Sequence, residues 1–301
     1  MDVGTGPPTG IDRDHRSYRY YRTEVERHWD PAEVDLEGDV EALLDAPDAV
    51  LDGLRDALAK FGAGEQSVTA DLAPLAVVLD SIEDQSFIAT QLYEEAKHAD
   101  FFDRYWRDVI RTVERERGLD VSSPTEDRWF DPDYEELFDR QETYLDALLT
   151  DDSPDARARA YSVYHLVVEG IFAQTGYYGL RTVYGDEFDE MPTLPGLVEG
   201  IRLIQGDEGR HVGFGIAKLR ELVHERGVDP ALIEETVGEL AALVQGSLAS
   251  SMDATEETSP PVELDVDLVE YAVEKHGERM QQITNPDPPT ASEEELVGVD
   301  R

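Results

Sequence analysis

Apolar residues recur along most of this chain at the three- and four-residue spacing of an amphipathic helix. Segments with this period, broken at Pro or Gly, predict helices near 39–46, 48–80, 82–117, 132–150, 154–184, 194–227, 229–252 and 264–283. No alternating strand pattern and no Asn-Gly hairpin signal interrupts them. Several of these helices exceed about 25 residues, which suits a long bundle, while heptads are not sustained enough for a coiled coil. The expected fold class is all-α. Residues 1–24 read as a flexible N-terminal segment, 25–284 as the folded domain, and 285–301 as a flexible acidic tail.

The stripes contain residues that do not belong in a core. That of the second helix runs Val50, Leu54, Leu58, Phe61, then Glu65, then Val68, Leu72, Leu75 and Leu79. A buried carboxylate without a partner is costly. The next helix repeats the anomaly with Ile88, Leu92, Glu95, His98, Phe102, Tyr105 and Val109. Glu95 and His98 stand three apart, so both point the same way.

The pattern then recurs. Leu166, Glu169, Phe172, Gly176 and Leu180 share one face of the helix at 154–184. Leu197, Ile201, Ile204, Glu208, His211, Gly215, Leu219 and Leu222 share one face of the helix at 194–227. One core Glu followed by Glu-x-x-His therefore occurs twice, with gaps of 30 and 39 residues from Glu65 to Glu95 and from Glu169 to Glu208. Each gap lets one helix go up and its partner return. This is the ligand pattern of ferritin-like dimetal carboxylate bundles, so the expectation becomes a ferritin-like four-helix bundle with additional helices. Four carboxylates balance two divalent cations, neutral imidazoles complete the set, and O/N ligands suit iron or manganese.

A lone Glu-x-x-His is a weak signal, and the chain contains a control. Glu221 and His224 also match it. At about 100° per residue, however, they fall roughly 140–160° away from the Glu208 face, on a solvated flank, and no role is expected. The bland alternative for the other six is a set of buried Glu–His hydrogen bonds without metal. Its desolvation cost, repeated symmetrically, weighs against it.

Composition narrows the setting. The 301 residues include 68 Asp plus Glu against 26 Lys plus Arg, for a formal net charge of -42. The acids are spread along the whole chain, as expected of a surface suited to a salt-rich cytoplasm, where repulsion is screened. Nucleic-acid binding is not expected, because phosphate contacts need clustered Lys and Arg. The absence of Cys excludes disulfides, thiolate metal sites and Cys nucleophiles. No apolar signal core and no membrane span is expected, which points to the cytoplasm.

The stretches GEQSVTADLAPL around Glu65, QLYEEAKHADFF around Glu95, VVEGIFAQTGYYG around Glu169, GDEGRH around Glu208 and HWDPAEVDL around Trp29 resemble the ribonucleotide reductase small-subunit superfamily. Within it the chain is most similar to the R2-like ligand-binding oxidases. Phe102 stands where reductase small subunits typically carry the radical Tyr, four residues after the first ligand His. Val68 and Tyr164 match the pair that those oxidases join by an ether cross-link. Trp29 and Asp207 match the superfamily's electron-transfer Trp and an Asp that braces a ligand imidazole. The acidic loop YGDEFDEMP departs from the pattern and lengthens the second gap, but lies between helices.

The resemblance implies one manganese, held by Glu65, Glu95 and His98, and one iron, held by Glu169, Glu208 and His211, with di-iron as the alternative. It further implies dioxygen activation, a bound long-chain fatty acid as a lipid-like ligand, and a homodimer. Two other readings stay open. One is a radical-generating reductase small subunit partnered by the large subunit, against which the absence of Tyr after Asn285 weighs. The other is a non-catalytic metal or fatty-acid binding protein.

Overall fold

In the computed structural model, residues 10–256 and 268–286 are described. The expectations for 1–9, 264–267 and 287–301 lie outside the described residues. In chain order the helices are α1 (Arg16–Glu26), α2 (Glu37–Leu44), α3 (Asp48–Asp71), α4 (Ala73–Val78), α5 (Ile82–Tyr105), α6 (Arg111–Glu116), α7 (Pro132–Ala147), α8 (Pro154–Tyr161), α9 (Gln174–Val183), α10 (Pro195–Arg226), α11 (Pro230–Glu256) and α12 (Leu268–Thr284). Wider π-helical stretches join α5 to α6 over Trp106–Ile110 and α8 to α9 over Ser162–Ala173. Strands are absent among the described residues, and none of the described helices is long and apolar enough to cross a membrane.

The helix boundaries follow local chemistry. The Ser81 hydroxyl caps α5 by accepting from Asp84 N at 3.0 Å, and Asp131 caps α7 by accepting from Tyr134 N at 2.9 Å. Pro opens α7, α8, α10 and α11, where its missing N–H costs nothing. Gly227, at φ 76°, ends α10 in the left-handed conformation that glycine adopts without strain.

Four antiparallel runs form a ferritin-like bundle: α3, α5, the continuous α8–π–α9 helix, and α10. Two apolar clusters fill it. One contains Val68, Leu72, Ile88, Tyr164, Leu166, Val212 and Leu219. The other contains Leu54, Leu58, Phe61, Phe101, Phe102, Tyr177, Leu197, Ile201 and Ile204. Each run passes from one cluster into the other, and the crossing points are occupied by Glu65, Glu95 with His98, Glu169, and Glu208 with His211. The aliphatic and aromatic side chains on either side each contribute about 1.5–3 kcal/mol by burial and so hold the polar layer in place.

Three local features differ from the sequence expectation. Residues 16–24, expected within a flexible segment, belong to α1. It lacks an aliphatic stripe and docks through Tyr20 against Phe87, ring centroids 5.7 Å apart, Ser17 Oγ donating to Asp84 Oδ1 at 2.6 Å and Glu24 paired with Arg210. The helix expected over 48–80 breaks at Leu72, because Pro74 has no N–H to continue the ladder. The π-helical turns, invisible to a 3.6-residue period, widen two of the bundle helices where one of them carries Tyr164 and Glu169.

Candidate metal centre

All six candidate ligands meet in the polar layer, each at most 6% exposed. They form two overlapping groups. Glu65, Glu95, His98 and Glu208 converge on one point, and Glu95, Glu169 and His211 on a second. His98 Nδ1 faces Glu65 Oε2 and Glu95 Oε2, both at 3.6 Å, and Glu208 Oε1 at 3.4 Å. His211 Nδ1 faces Glu95 Oε1 at 3.1 Å, and Glu169 Oε1 and Glu208 Oε2 at 3.4 Å. Metal bonds of about 2.1 Å place neighbouring ligand atoms about 3.0–3.4 Å apart, so these spacings are those of two coordination shells. The family resemblance implied Glu95 at one metal and Glu208 at the other. In the structure each offers one oxygen to either side, leaving Glu65 and Glu169 as the one-sided carboxylates.

The atoms aimed into the centre are those without hydrogen-bond partners. His98 Nδ1, His211 Nδ1, Glu169 Oε2 and Glu208 Oε2 are all buried and unpaired. Buried polar atoms are normally satisfied, so this set fits a cation pair. The opposite ring nitrogens are held. His98 Nε2 lies 3.0 Å from Asp207 Oδ2, and His211 Nε2 lies 3.0 Å from Glu94 Oε2. A carboxylate behind each imidazole fixes the tautomer that presents Nδ1 to metal.

Other side chains orient the carboxylates. Tyr177 donates its hydroxyl to Glu65. Gln91 Nε2 donates to Glu169 Oε1 at 2.9 Å, and the Tyr164 hydroxyl donates to Glu95 Oε1 at 2.8 Å. Behind Asp207 and Glu94 stand two buried cations. Arg210 Nη2 is 2.6 Å from Asp207 Oδ1 and Lys97 Nζ is 2.8 Å from Asp207 Oδ2. Glu24, Glu94 and Asp207 also lie close together, but these two cations already neutralise most of that acidic cluster.

Ionisation in this layer shifts in opposite directions: burial would raise Glu95, but His211 and His98 beside it hold it well below the carboxylate range, while Glu65 and Glu169 are raised. Burial, with the neighbouring charges of Glu95 and Glu208, pushes Glu65 up to about 8. Burial and the Glu208 charge likewise raise Glu169 well above the carboxylate range. Burial alone lowers His98 and His211, but hydrogen bonds and charges from the surrounding carboxylates overcome it and hold both well above the usual imidazole value. Protons and cations therefore compete for these atoms.

Val68 and Tyr164 both border the centre. Tyr164 is fully buried. Val68 lines a narrow pocket beside Glu65, Glu95, Glu169 and Glu208, walled by Phe61, Phe138, Val168 and Phe172. Its open space is about 20 Å³, room for about one water-sized molecule. Glu221 and His224 stand apart from this layer. Glu221 pairs with Lys218 at 2.7 Å, and His224 Nε2 bonds the backbone of Ile283 at 3.0 Å.

Sequence reasoning missed Glu94, Gln91, Lys97, Tyr177 and Arg210. Glu94 and Lys97 flank Glu95 and His98 in the same motif, but their positions lie off the apolar stripe, so periodicity assigns them to solvent. Tyr177 sits in VVEGIFAQTGYYG, eight residues after Glu169. A phenol that close to a ligand on a bundle helix needs a hydrogen-bond partner once buried, and that need is the signal the sequence offers.

The profile of the family described as ribonucleotide reductase, small chain, matches residues 12–264, and the chain belongs to that family. Within it, the fold is similar to R2-like ligand-binding oxidases. One such oxidase with an aerobically reconstituted Mn/Fe cofactor superimposes with TM-score 0.79 at 28% identity, covering 91% of this chain and 94% of the other. A variant with an aerobically reconstituted Fe/Fe cofactor gives TM-score 0.79 at 27% identity, with 91% and 95% covered. Another variant, with an anaerobically reconstituted Mn/Fe cofactor, gives 0.78 at 27% over the same shares. The fold and the buried Glu/His cluster are those of a dimetal carboxylate oxidoreductase.

Proposed function

We propose that this protein is a dioxygen-activating dimetal oxidase in which Glu65, Glu95, His98, Glu169, Glu208 and His211 hold one manganese and one iron. The observation that carries this reading is the pair of buried, unpartnered Nδ1 atoms, each ringed by three carboxylate oxygens at 3.1–3.6 Å. His98 with Glu65 forms the manganese side and His211 with Glu169 the iron side, while Glu95 and Glu208 span both. The similar solved oxidases carry Mn/Fe or Fe/Fe cofactors, which favours manganese and iron over other O/N-preferring metals.

Bound there, the metal pair supplies the redox chemistry that reduces dioxygen. The protein supplies a dry site, fixed ligands and a nearby pair of reactive side chains. Tyr164 presents a phenol whose oxygen is held at Glu95, and Val68 presents a tertiary C–H on the pocket wall. We assign these two as the cross-link pair. The Val68 Cβ–H and Tyr164 O–H bonds are replaced by one C–O bond, with two protons and two electrons passing to dioxygen-derived oxidant. Phe102 at the radical-Tyr position, buried at 2% and stacked with Phe61 and Tyr177, gives no phenol at that position for radical storage.

The pocket beside Val68 is the proposed seat of a long-chain fatty acid. Its polar end meets Glu65, Glu95, Glu169 and Glu208, which would hold the metals, and its walls are aromatic and aliphatic. A carboxylate head on two cations with an apolar tail is chemically matched to such walls. The space there is narrow, about 20 Å³, so occupation requires the lining side chains to give way. A homodimer in the cytoplasm of a salt-rich cell completes the reading.

Intact-mass measurement after aerobic metal loading tests this function. A loss of two hydrogens, mapped by fragmentation to a Val68–Tyr164 link, is expected. Fully metal-loaded protein exposed to dioxygen and still uncross-linked would overturn it.

A further inference from the structure

Trp29 lies against the metal centre with no intervening side chain. Its ring stacks on His98 with centroids 6.2 Å apart and planes 15° apart. Its Nε1 donates to Asp207 Oδ2 at 2.8 Å, the same oxygen that braces His98. An electron-rich indole stacked on a ligand imidazole, with a carboxylate on its N–H, is placed to lose an electron to any strong oxidant at the centre. Such a loss would waste oxidising equivalents on a side chain other than Val68 and Tyr164.

Lys97 occupies the position that opposes this. Its Nζ sits 4.7 Å from the Trp29 ring centroid and 2.8 Å from Asp207 Oδ2, and its side chain is 4% exposed. Arg210 takes the other oxygen of Asp207 at 2.6 Å. The carboxylate that would stabilise an indole radical cation is therefore shared with two cations. One of them also rests on the ring face, where attraction to the neutral ring turns into repulsion once the ring is positive.

We infer that Lys97 insulates Trp29 from one-electron oxidation and so keeps oxidising equivalents available to the Val68–Tyr164 pair. The step prevented is simple. One electron leaves the indole for the oxidant, and the Nε1 proton stays in its bond to Asp207. Lys97 is a positioning residue in this role, since it touches neither metal nor substrate. The inference rests on the proposed oxidase reading only for its biological consequence, because the insulation itself is a property of the metal-free chain.

Two arms test it. In the first, metal-free protein is oxidised by a photogenerated ruthenium(III) complex, and oxidation at Trp29 is quantified by peptide mass mapping, with Trp106 and Trp129 as internal references. Lys97→Met is expected to raise Trp29 oxidation by roughly tenfold or more relative to those references, the scale of removing a unit charge near 5 Å in a partly shielded interior. Lys97→Arg, which keeps the charge, is expected to stay near wild type. Lys97→Gln makes the same comparison should the Met variant not fold. Equal Trp29 oxidation in wild type and the uncharged variants overturns the inference whatever the metal chemistry is. In the second arm, wild type is loaded aerobically with manganese and iron. Intact Trp29 and no tryptophan-radical signal by electron paramagnetic resonance are expected, and oxidised Trp29 in wild type contradicts the inference. A missing cross-link with Trp29 still protected in the first arm would instead count against the oxidase reading alone.

Discussion

Asp207 Oδ2 lies 3.0 Å from His98 Nε2, which turns the other ring nitrogen of His98 toward Glu65, Glu95 and Glu208. Removing that brace should loosen the metal without emptying the site. Asp207→Asn is expected to weaken binding at the His98 side about 10–100-fold, measured by competition with a chelator of known affinity. Asp207→Ala also leaves Lys97 and Arg210 short of a buried counter-charge, so a stability loss of about 3–5 kcal/mol is expected in chemical denaturation.

The sharing of Glu95 and Glu208 between both sides predicts an asymmetric mutational pattern. Glu169→Ala should lower the metal content from two toward one, because it faces only the His211 side. Glu95→Ala should lower it further, since it takes an oxygen from each shell. Elemental analysis after dialysis distinguishes these outcomes, and equal losses would argue against the bridging arrangement.

Tyr164→Phe separates metal binding from oxidation. The variant keeps every candidate ligand, so two metals should still bind. The two-hydrogen mass loss on exposure to dioxygen should vanish.

Protons and metals compete for the same atoms, which fixes the sign of a pH effect. Burial and the neighbouring carboxylates push the Glu65 carboxyl up to about 8 and so favour its protonated form. The imidazoles, held above their usual value by the same carboxylates, must also lose protons before Nδ1 can bind. Metal affinity should therefore rise as pH increases through about 8 and fall on acidification, with net proton release on binding. Calorimetry in two buffers of different ionisation enthalpy measures that release.

The formal charge of -42 predicts that the melting temperature climbs steeply with salt, as the Debye length falls from about 10 Å at 0.1 M to about 3 Å at 1 M. Thermal melts in potassium chloride measure the slope, and a flat response would contradict an acidic surface in need of screening.

Much of this centre was legible in the chain because buried carboxylates interrupt otherwise apolar stripes. Glu65, Glu95, Glu169 and Glu208 each stand where a Leu or Phe would be ordinary, and the three-residue step to His98 or His211 places both groups on one face. The control pair Glu221 and His224 failed the same criterion and indeed lies outside the centre. What periodicity cannot show is the layer behind the ligands. Glu94 is only about 100° around the helix from Glu95, yet it is buried at 2% because His211 on another helix reaches it. Lys97 and Arg210 read as solvated cations until the tertiary fold sets them against Asp207. The π-helical turn that carries Tyr164 and Glu169 leaves no mark on composition or period. Helix α1 was missed for a related reason, since it docks through Tyr20, Ser17 and Glu24 rather than through a continuous aliphatic face.

The most direct measurement is anomalous diffraction at the manganese and iron edges from crystals of metal-loaded protein. Two metal peaks are expected in the polar layer, manganese beside His98 Nδ1 and Glu65 and iron beside His211 Nδ1 and Glu169, with Glu95 and Glu208 between them. Metal bound elsewhere, or a fully loaded crystal with a single peak at this layer, would contradict the account.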